Sequence, residues 1–241
     1  DLLEAILNCE DYTEYVLDRR LGCRQLGMNL PTRVTAKRIA ERYYGKQTKY
    51  HDTQIWSPYL ERDYIAGIAT DKIPNHRFQR EVFAAGFARL LGRAAAPNMI
   101  VGRRAGEEGP VLFDDGDEVV LENEQGLPTR IVVTDQTGTF ADYRRPLQAV
   151  AAEYAAPVNR RAPYLADARM FAGVYLGAFV ERFSSIQAEY RRRKRAFDTL
   201  FRHRNRDEAG SFAYRWEMVL QRLNDTDPRE LTELIRQHLA L

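Results

Sequence analysis

From about residue 164 to residue 204 the chain carries a helical pattern uninterrupted by proline, and this stretch constrains the fold more than any other. Phe183, Ile186, Tyr190, Phe197 and Phe201 recur through it at helical spacing. An apolar stripe of that length has to be covered by neighbouring elements, so the C-terminal half is expected to form a helical bundle. The pattern reads as one helix, or as two with a bend near Ser184 and Ser185.

Shorter helices are expected around it. Leu3, Ile6, Leu7, Tyr15 and Val16 share one face of a helix over 2–20. Residues 21–33, with Gly22, Gly27, Asn29 and Pro31, read as a loop or a short strand pair. Thr32 or Thr35 then caps a helix over 34–44, which Gly45 ends. Residues 46–59, containing His51, Trp56 and Pro58, read as irregular, and a short helix is expected around 60–68. After Pro74 and Asn75 comes a helix to about 91, with Phe78, Val82, Phe83, Phe87, Leu90 and Leu91 as its stripe and Gly92 at its end. Another covers 142–156, with Pro157 and Pro163 bracketing a connection. Residues 211–223 form the next, with Phe212, Trp216, Val219 and Leu220 inward. The last has the clearest start: Asp227 as N-cap, Pro228 at the first position and Glu230 in a capping-box arrangement. No repeat of 20–50 residues is present.

Between these helices the period changes. Residues 99–101 and 111–113 are short apolar runs separated by GRRAGEEGP, a hairpin signal with a long loop. Residues 119–121 and 130–134 read as two more strands joined through ENEQGLP. The expected class is therefore α+β and mainly helical, with a small antiparallel sheet from about 98–134, to which 21–34 is a candidate addition. The regions 1–75 and 76–241 are expected to share one compact unit.

Composition excludes several classes. With 241 residues, 44% hydrophobic and 29% charged, the chain can bury a core without staples. A net charge of +2 creates no global field for nucleic acid or membrane, so a basic site has to be local. Cys9 and Cys23 belong to no CxxC or Cys/His cluster and make no disulfide framework, which points to a reducing, cytoplasmic setting. No apolar run reaches the ~18–20 residues of a membrane span. The first residues carry acids through their apolar part, unlike a signal peptide, and the absence of an initiator Met leads us to expect sequence upstream.

The segment 87–120 is the one that suggests chemistry. Asn98 stands before one expected strand and Asp114-Asp115-Gly116 after its hairpin partner, so two oxygen-bearing side chains would meet at one hairpin edge. That suits a hard cation such as Mg²⁺. Asn and Asp-Gly are equally ordinary turn residues. Over roughly 76–120 the segment resembles the catalytic-loop and D-F-G region of divergent branches of the kinase superfamily, phosphoinositide-kinase-like and toxin-kinase-like. The resemblance implies that Asn98 and Asp114 hold Mg²⁺, that ATP is the nucleotide, and that a helical C-lobe follows residue 141. Gly22 and Gly27 with Lys37 would stand for the Gly-rich loop and its following Lys. The sequence departs from the family at Arg93, where the catalytic Asp belongs, and no acid lies between Glu81 and Glu107. The resemblance thus implies nucleotide binding without ordinary phosphotransfer, or a substitute acid such as Asp115 or Asp117.

The alternative expectation is a non-enzymatic interaction module. Arg191, Arg192, Arg193, Lys194 and Arg195 form a basic run, followed by Arg202, Arg204 and Arg206. Such a run suits the phosphates of nucleic acid, an acidic protein partner, or simply a solvated face whose alkyl stems cover the core. His51, His76, His203 and His238 have no metal-ligand spacing, and Ser184 and Ser185 no nucleophile-elbow setting. Tyr43, Tyr44, Tyr50, Trp56, Tyr59 and Tyr64 either pack a loop onto the body or stack on a ligand.

Overall fold

The computed structural model describes residues 43–50, 53–60, 66–102, 118–133, 145–201 and 212–241. The expected helix over 2–20, the loop 21–33, most of the helix 34–44 and the run 111–113 lie outside these residues. The chain divides into two units, one spanning Leu7–Ile65 and the other chiefly Ala66–Leu241.

In the first unit, β1 (Tyr43–Tyr50) and β2 (Thr53–Leu60) pair antiparallel, from Tyr43 opposite Leu60 to Tyr50 opposite Thr53. This corrects two expectations. Tyr43 and Tyr44 begin a strand where a helix end was expected, and the region read as irregular is a hairpin. The Tyr, Thr, Ile and Trp content favours strands. Gly45, expected to end a helix, and Pro58, in the region read as irregular, sit opposite each other in a two-stranded sheet. Both strands there are edges, where proline is tolerated.

In the second unit, β3 (Ile68–Ala69), β4 (Glu118–Glu122) and β5 (Pro128–Val133) form a three-stranded antiparallel sheet in that order. The architecture is mainly helical α+β, as the sequence implies. The edge strand at 68–69 replaces the expected helix end there. The β4–β5 turn follows from ENEQGLP: the Asn123 Oδ1 accepts from the Gln125 and Leu127 backbone N–H groups at 3.1 and 2.9 Å.

Helix α1 (Glu81–Val101) runs on past the expected stop signal, Gly92, and through Pro97. Residues 99–101, expected as a strand, are its last turn. Pro97 forfeits one helical hydrogen bond, but Ala95, Ala96, Met99 and Ile100 around it are all buried. The helix stops where Gly102 adopts left-handed φ/ψ of 64° and 42° and its N–H reaches the Asn98 and Met99 carbonyls. Of the predicted stripe, Phe83, Phe87 and Leu91 are buried, but Val82 points outward. Phe78 is buried from the 3-10 turn Asn75–Gln79 that precedes the helix.

The remaining helices are α2 (Leu147–Arg161), α3 (Ala168–Phe201), α4 (Phe212–Asp225) and α5 (Pro228–Gln237). Pro157, read as a boundary, lies buried inside α2. The Asp227 Oδ1 accepts from the Arg229 N–H at 2.7 Å, so the predicted cap forms. Tyr175 on α3 donates its hydroxyl to the Tyr154 carbonyl at 2.8 Å, and burial pushes its phenol pKa up. Gln187 donates to the Leu223 and Thr226 carbonyls at 2.7 and 2.9 Å, holding the end of α4 to α3. Asn159 holds the C-terminal tail through the His238 carbonyl and the Ala240 N–H.

The core is aromatic. Phe78 meets Phe83 and Phe87 edge-on at 5.5 and 5.3 Å, and Phe87 meets Phe171 of α3 at 6.5 Å. Two guanidinium groups flank it. Arg77 lies 4.3 Å over Phe83 while bonding Glu122 and the Gly126 carbonyl, each at 2.6 Å. The buried Arg161 lies 5.0 Å over Phe87 and donates to the Pro157 carbonyl at 3.0 Å.

Helices α1 and α3 meet backbone to backbone at Gly92. A Cβ there would stand 2.2 Å from the Tyr175 carbonyl oxygen and 3.0 Å from the Phe179 nitrogen. Gly173, on the outer face of α3, has nothing within 4 Å of the same position. The two glycines are therefore expected to respond to alanine with opposite signs. In urea unfolding, Gly92→Ala should destabilise by about 1–3 kcal/mol through overpacking. Gly173→Ala should stabilise by about 0.5–1 kcal/mol through helix propensity.

Candidate functional site

The C-terminal part of α3 brings the basic run to the surface. Its inner side is fixed by Phe183, Ile186, Gln187 and Tyr190, all buried. Successive helix positions rotate by about 100°, so a run of five must spread around much of the helix. Because Tyr190 and Gln187 hold the inner side, most of the cations are left outside. Arg191, Arg192, Lys194 and Arg195 are exposed. Arg193 is the half-buried member, and its Nη1 pairs with Glu189 Oε1 at 3.0 Å. Arg193 also departs from helical dihedrals (φ −111°, ψ 18°), so α3 consists of two helical segments meeting at a kink in the middle of the run. The bend expected near Ser184 and Ser185 is at Arg193 instead.

On the same outer surface, Gly173, Gly177, Ser184, Ser185 and Ala188 are exposed. Apart from the acidic Glu181, which is also exposed, small side chains line the helix next to its cationic end. Phe183, Ile186 and Tyr190 face inward, so the described part of this surface carries no exposed aromatic anchor. The side chains of Phe197 and Phe201, and residues Arg202, Arg204 and Arg206, lie outside what is described.

Of the residues of the kinase-like expectation, Asn98 and Arg93 are described, both on α1. Asn98 is buried in its last turn, and the strand that was to carry it to a hairpin edge is helix. Its backbone carbonyl accepts from the Gly102 N–H, while its side-chain Nδ2 has no hydrogen-bond partner among the described residues. Arg93 is exposed one turn earlier. Gly22, Gly27, Lys37, Asp114, Asp115 and Asp117 lie outside the described residues. Among the described residues no group of three or more His, Cys, Asp or Glu side chains converges to hold a metal ion.

Sequence reasoning passed over Glu118, which is fully buried at the start of β4 directly after Asp117. The signal was the period-two pattern: Glu118 and Val120 share the inner face of the strand. Thr70, beside the β3 end, is likewise buried, with no partner for its hydroxyl among the described residues. His76 and His238 are exposed, as are Ser184 and Ser185. Tyr43, Tyr44, Tyr50, Trp56 and Tyr59 occupy strand positions in β1 and β2, with Tyr44 opposite Tyr59.

Comparison with family models, with characterised proteins and with solved structures finds no match. No helix of the described residues is long and apolar enough to cross a membrane.

A buried amide donor without an acceptor costs about 1–3 kcal/mol, which an apolar replacement of similar size removes. Asn98→Leu is accordingly expected to leave thermal stability within about 1 kcal/mol of the parent, or to raise it. A large loss in a thermal melt would mean that the amide has a partner in the folded protein.

Proposed function

We propose that this chain is an interaction module that binds nucleic acid through the basic end of α3, by phosphate charge rather than by base reading. The observation that carries the reading is the exposure of Arg191, Arg192, Lys194 and Arg195 within five consecutive helix positions. An α-helix of 10–12 Å diameter suits the ~12 Å major groove of a duplex. A protein partner is the weaker fit, because protein interfaces draw their affinity from buried aromatic and apolar anchors. The described outer surface of this helix carries small and charged residues instead. Phosphate contacts from Arg and Lys give affinity without sequence preference.

Such binding has a definite salt signature. With three to four phosphates neutralised, log K against log salt for a duplex should fall with a slope of about −3 to −4. Anisotropy of a labelled duplex across a salt series measures it. Replacing Arg191, Arg192, Lys194 and Arg195 together by Gln should abolish most of the affinity and flatten the slope. A duplex that does not bind at low salt, or a quadruple variant with the parent's slope, would remove the assignment. Tight binding of an acidic protein in place of DNA or RNA would do so too.

A second reading retains the kinase-like resemblance, as a nucleotide-binding domain for Mg²⁺ and ATP. One observation favours it: the buried Nδ2 of Asn98 lacks an acceptor among the described residues, and a ligand oxygen would provide one. This reading predicts ATP binding that requires Mg²⁺ in titration calorimetry and that both Asn98→Leu and Asp114→Ala abolish. No heat at millimolar ATP would discard it.

A further inference from the structure

Two glycines of α3 are not accounted for by packing among the described residues. After proline, glycine is the least favourable residue for a helix interior. Gly92 has a reason to be there, since the backbone of α3 lies against it. Gly173 and Gly177 stand one turn apart on α3, both exposed, and a Cβ at either position would meet nothing within 4 Å. Bare backbone on a helix surface lets a second helix approach closely, as α3 approaches α1 at Gly92. Met170, Val174 and Val180 border the two glycines, each only half-buried.

The charges on either side say what the second helix would carry. Arg169 stands four positions before Gly173, and Glu181 four positions after Gly177. Both are exposed, and neither takes part in an ion pair among the described residues. Neither has an opposite charge three or four positions away on its own helix. Turned antiparallel about position 175, this sequence is complementary to itself. Gly173 falls opposite Gly177, Met170 opposite Val180, and Arg169 opposite Glu181. Across a two-fold axis each match occurs twice.

We propose that the first half of α3 is a self-association surface: two copies of the chain pack this face antiparallel at the glycine pair, with Arg169 of each copy paired to Glu181 of the other. From Arg169 to Glu181 the contact runs for about 18 Å of helix, at about 1.5 Å per residue. It is short and has few apolar side chains, so its dissociation constant is modest, on the order of 10 µM. The basic run begins ten positions beyond Glu181, so this surface does not depend on the nucleic-acid reading.

Sedimentation velocity of the full chain, from about 1 to about 300 µM, reads the association. The parent should pass from monomer to dimer over that range. Glu181→Arg and Arg169→Glu each set like charges opposite one another, and each should raise the dissociation constant about tenfold or more. The double reversal Arg169→Glu/Glu181→Arg should restore it. Gly173→Ala, expected above to stabilise the fold, should nonetheless weaken the dimer, which separates loss of association from loss of folding. A parent that stays monomeric throughout, a dimer indifferent to the single reversals, or a double reversal that fails to restore association would overturn the proposal. A monomeric parent whose thermal melt drops on Gly177→Leu would also overturn it, and would assign this face to another segment of the same chain.

Discussion

The second unit depends on one close approach. At Gly92 the backbones of α1 and α3 come together without a side chain between them, and the Tyr175 carbonyl occupies space that any Cβ would need. That contact sets how deeply Phe87 and Phe171 interlock, and through them where the guanidinium groups of Arg77 and Arg161 cap the aromatic core. It also orients α3 as far as the kink at Arg193. With Phe171, Tyr175, Phe179 and Phe183 committed to the core, the helix has no rotational freedom left when it reaches the basic run. The exposure of Arg191 and Arg192, which precede the kink, follows from packing several turns earlier.

The polar groups of this unit are sorted accordingly. Arg77 and Arg161 are held close to aromatic faces and carbonyls, where a planar, weakly hydrated cation is tolerated. Arg77 and Glu122 tie the turn before α1 to the β4–β5 turn, so sheet and helix share one anchor. The cations at the end of α3 are placed oppositely, in water and beside one another, with Glu189 as their acidic neighbour. Asn98 belongs to neither group: a buried amide in the last turn of α1, where propensity alone gives no reason for it.

Several elements were legible from local chemistry. The Asp227-Pro228 start of α5, the strands around 119–121 and 130–133, and the turn made by Asn123 are each decided by residues within a few positions of one another. The errors share a cause. Gly45, Gly92 and Pro157 were each read as punctuation, and each lies inside an element, as does Pro97. Local preference for a stop is about 1 kcal/mol for glycine and about 3 kcal/mol for proline. Burial of Ala95, Ala96, Met99 and Ile100 around Pro97, or of Val158 and Tyr154 around Pro157, outweighs it. The candidate site divides the same way. The basic run was visible as letters, whereas the hairpin edge proposed for Asn98 depended on ending α1 early.

By itself, the sequence determined the class: mainly helical with a small antiparallel sheet, a long helical stretch in the C-terminal half, a capped terminal helix and a local concentration of cations. These depend on periodicity and near-neighbour chemistry, which the chain carries wherever it goes. Only the tertiary structure decided that α1 runs through Gly92 and Pro97, that Ile68–Ala69 supplies the third strand, and which cations face outward. Those outcomes turn on contacts between residues far apart in sequence, where the free energy of burial exceeds any local preference.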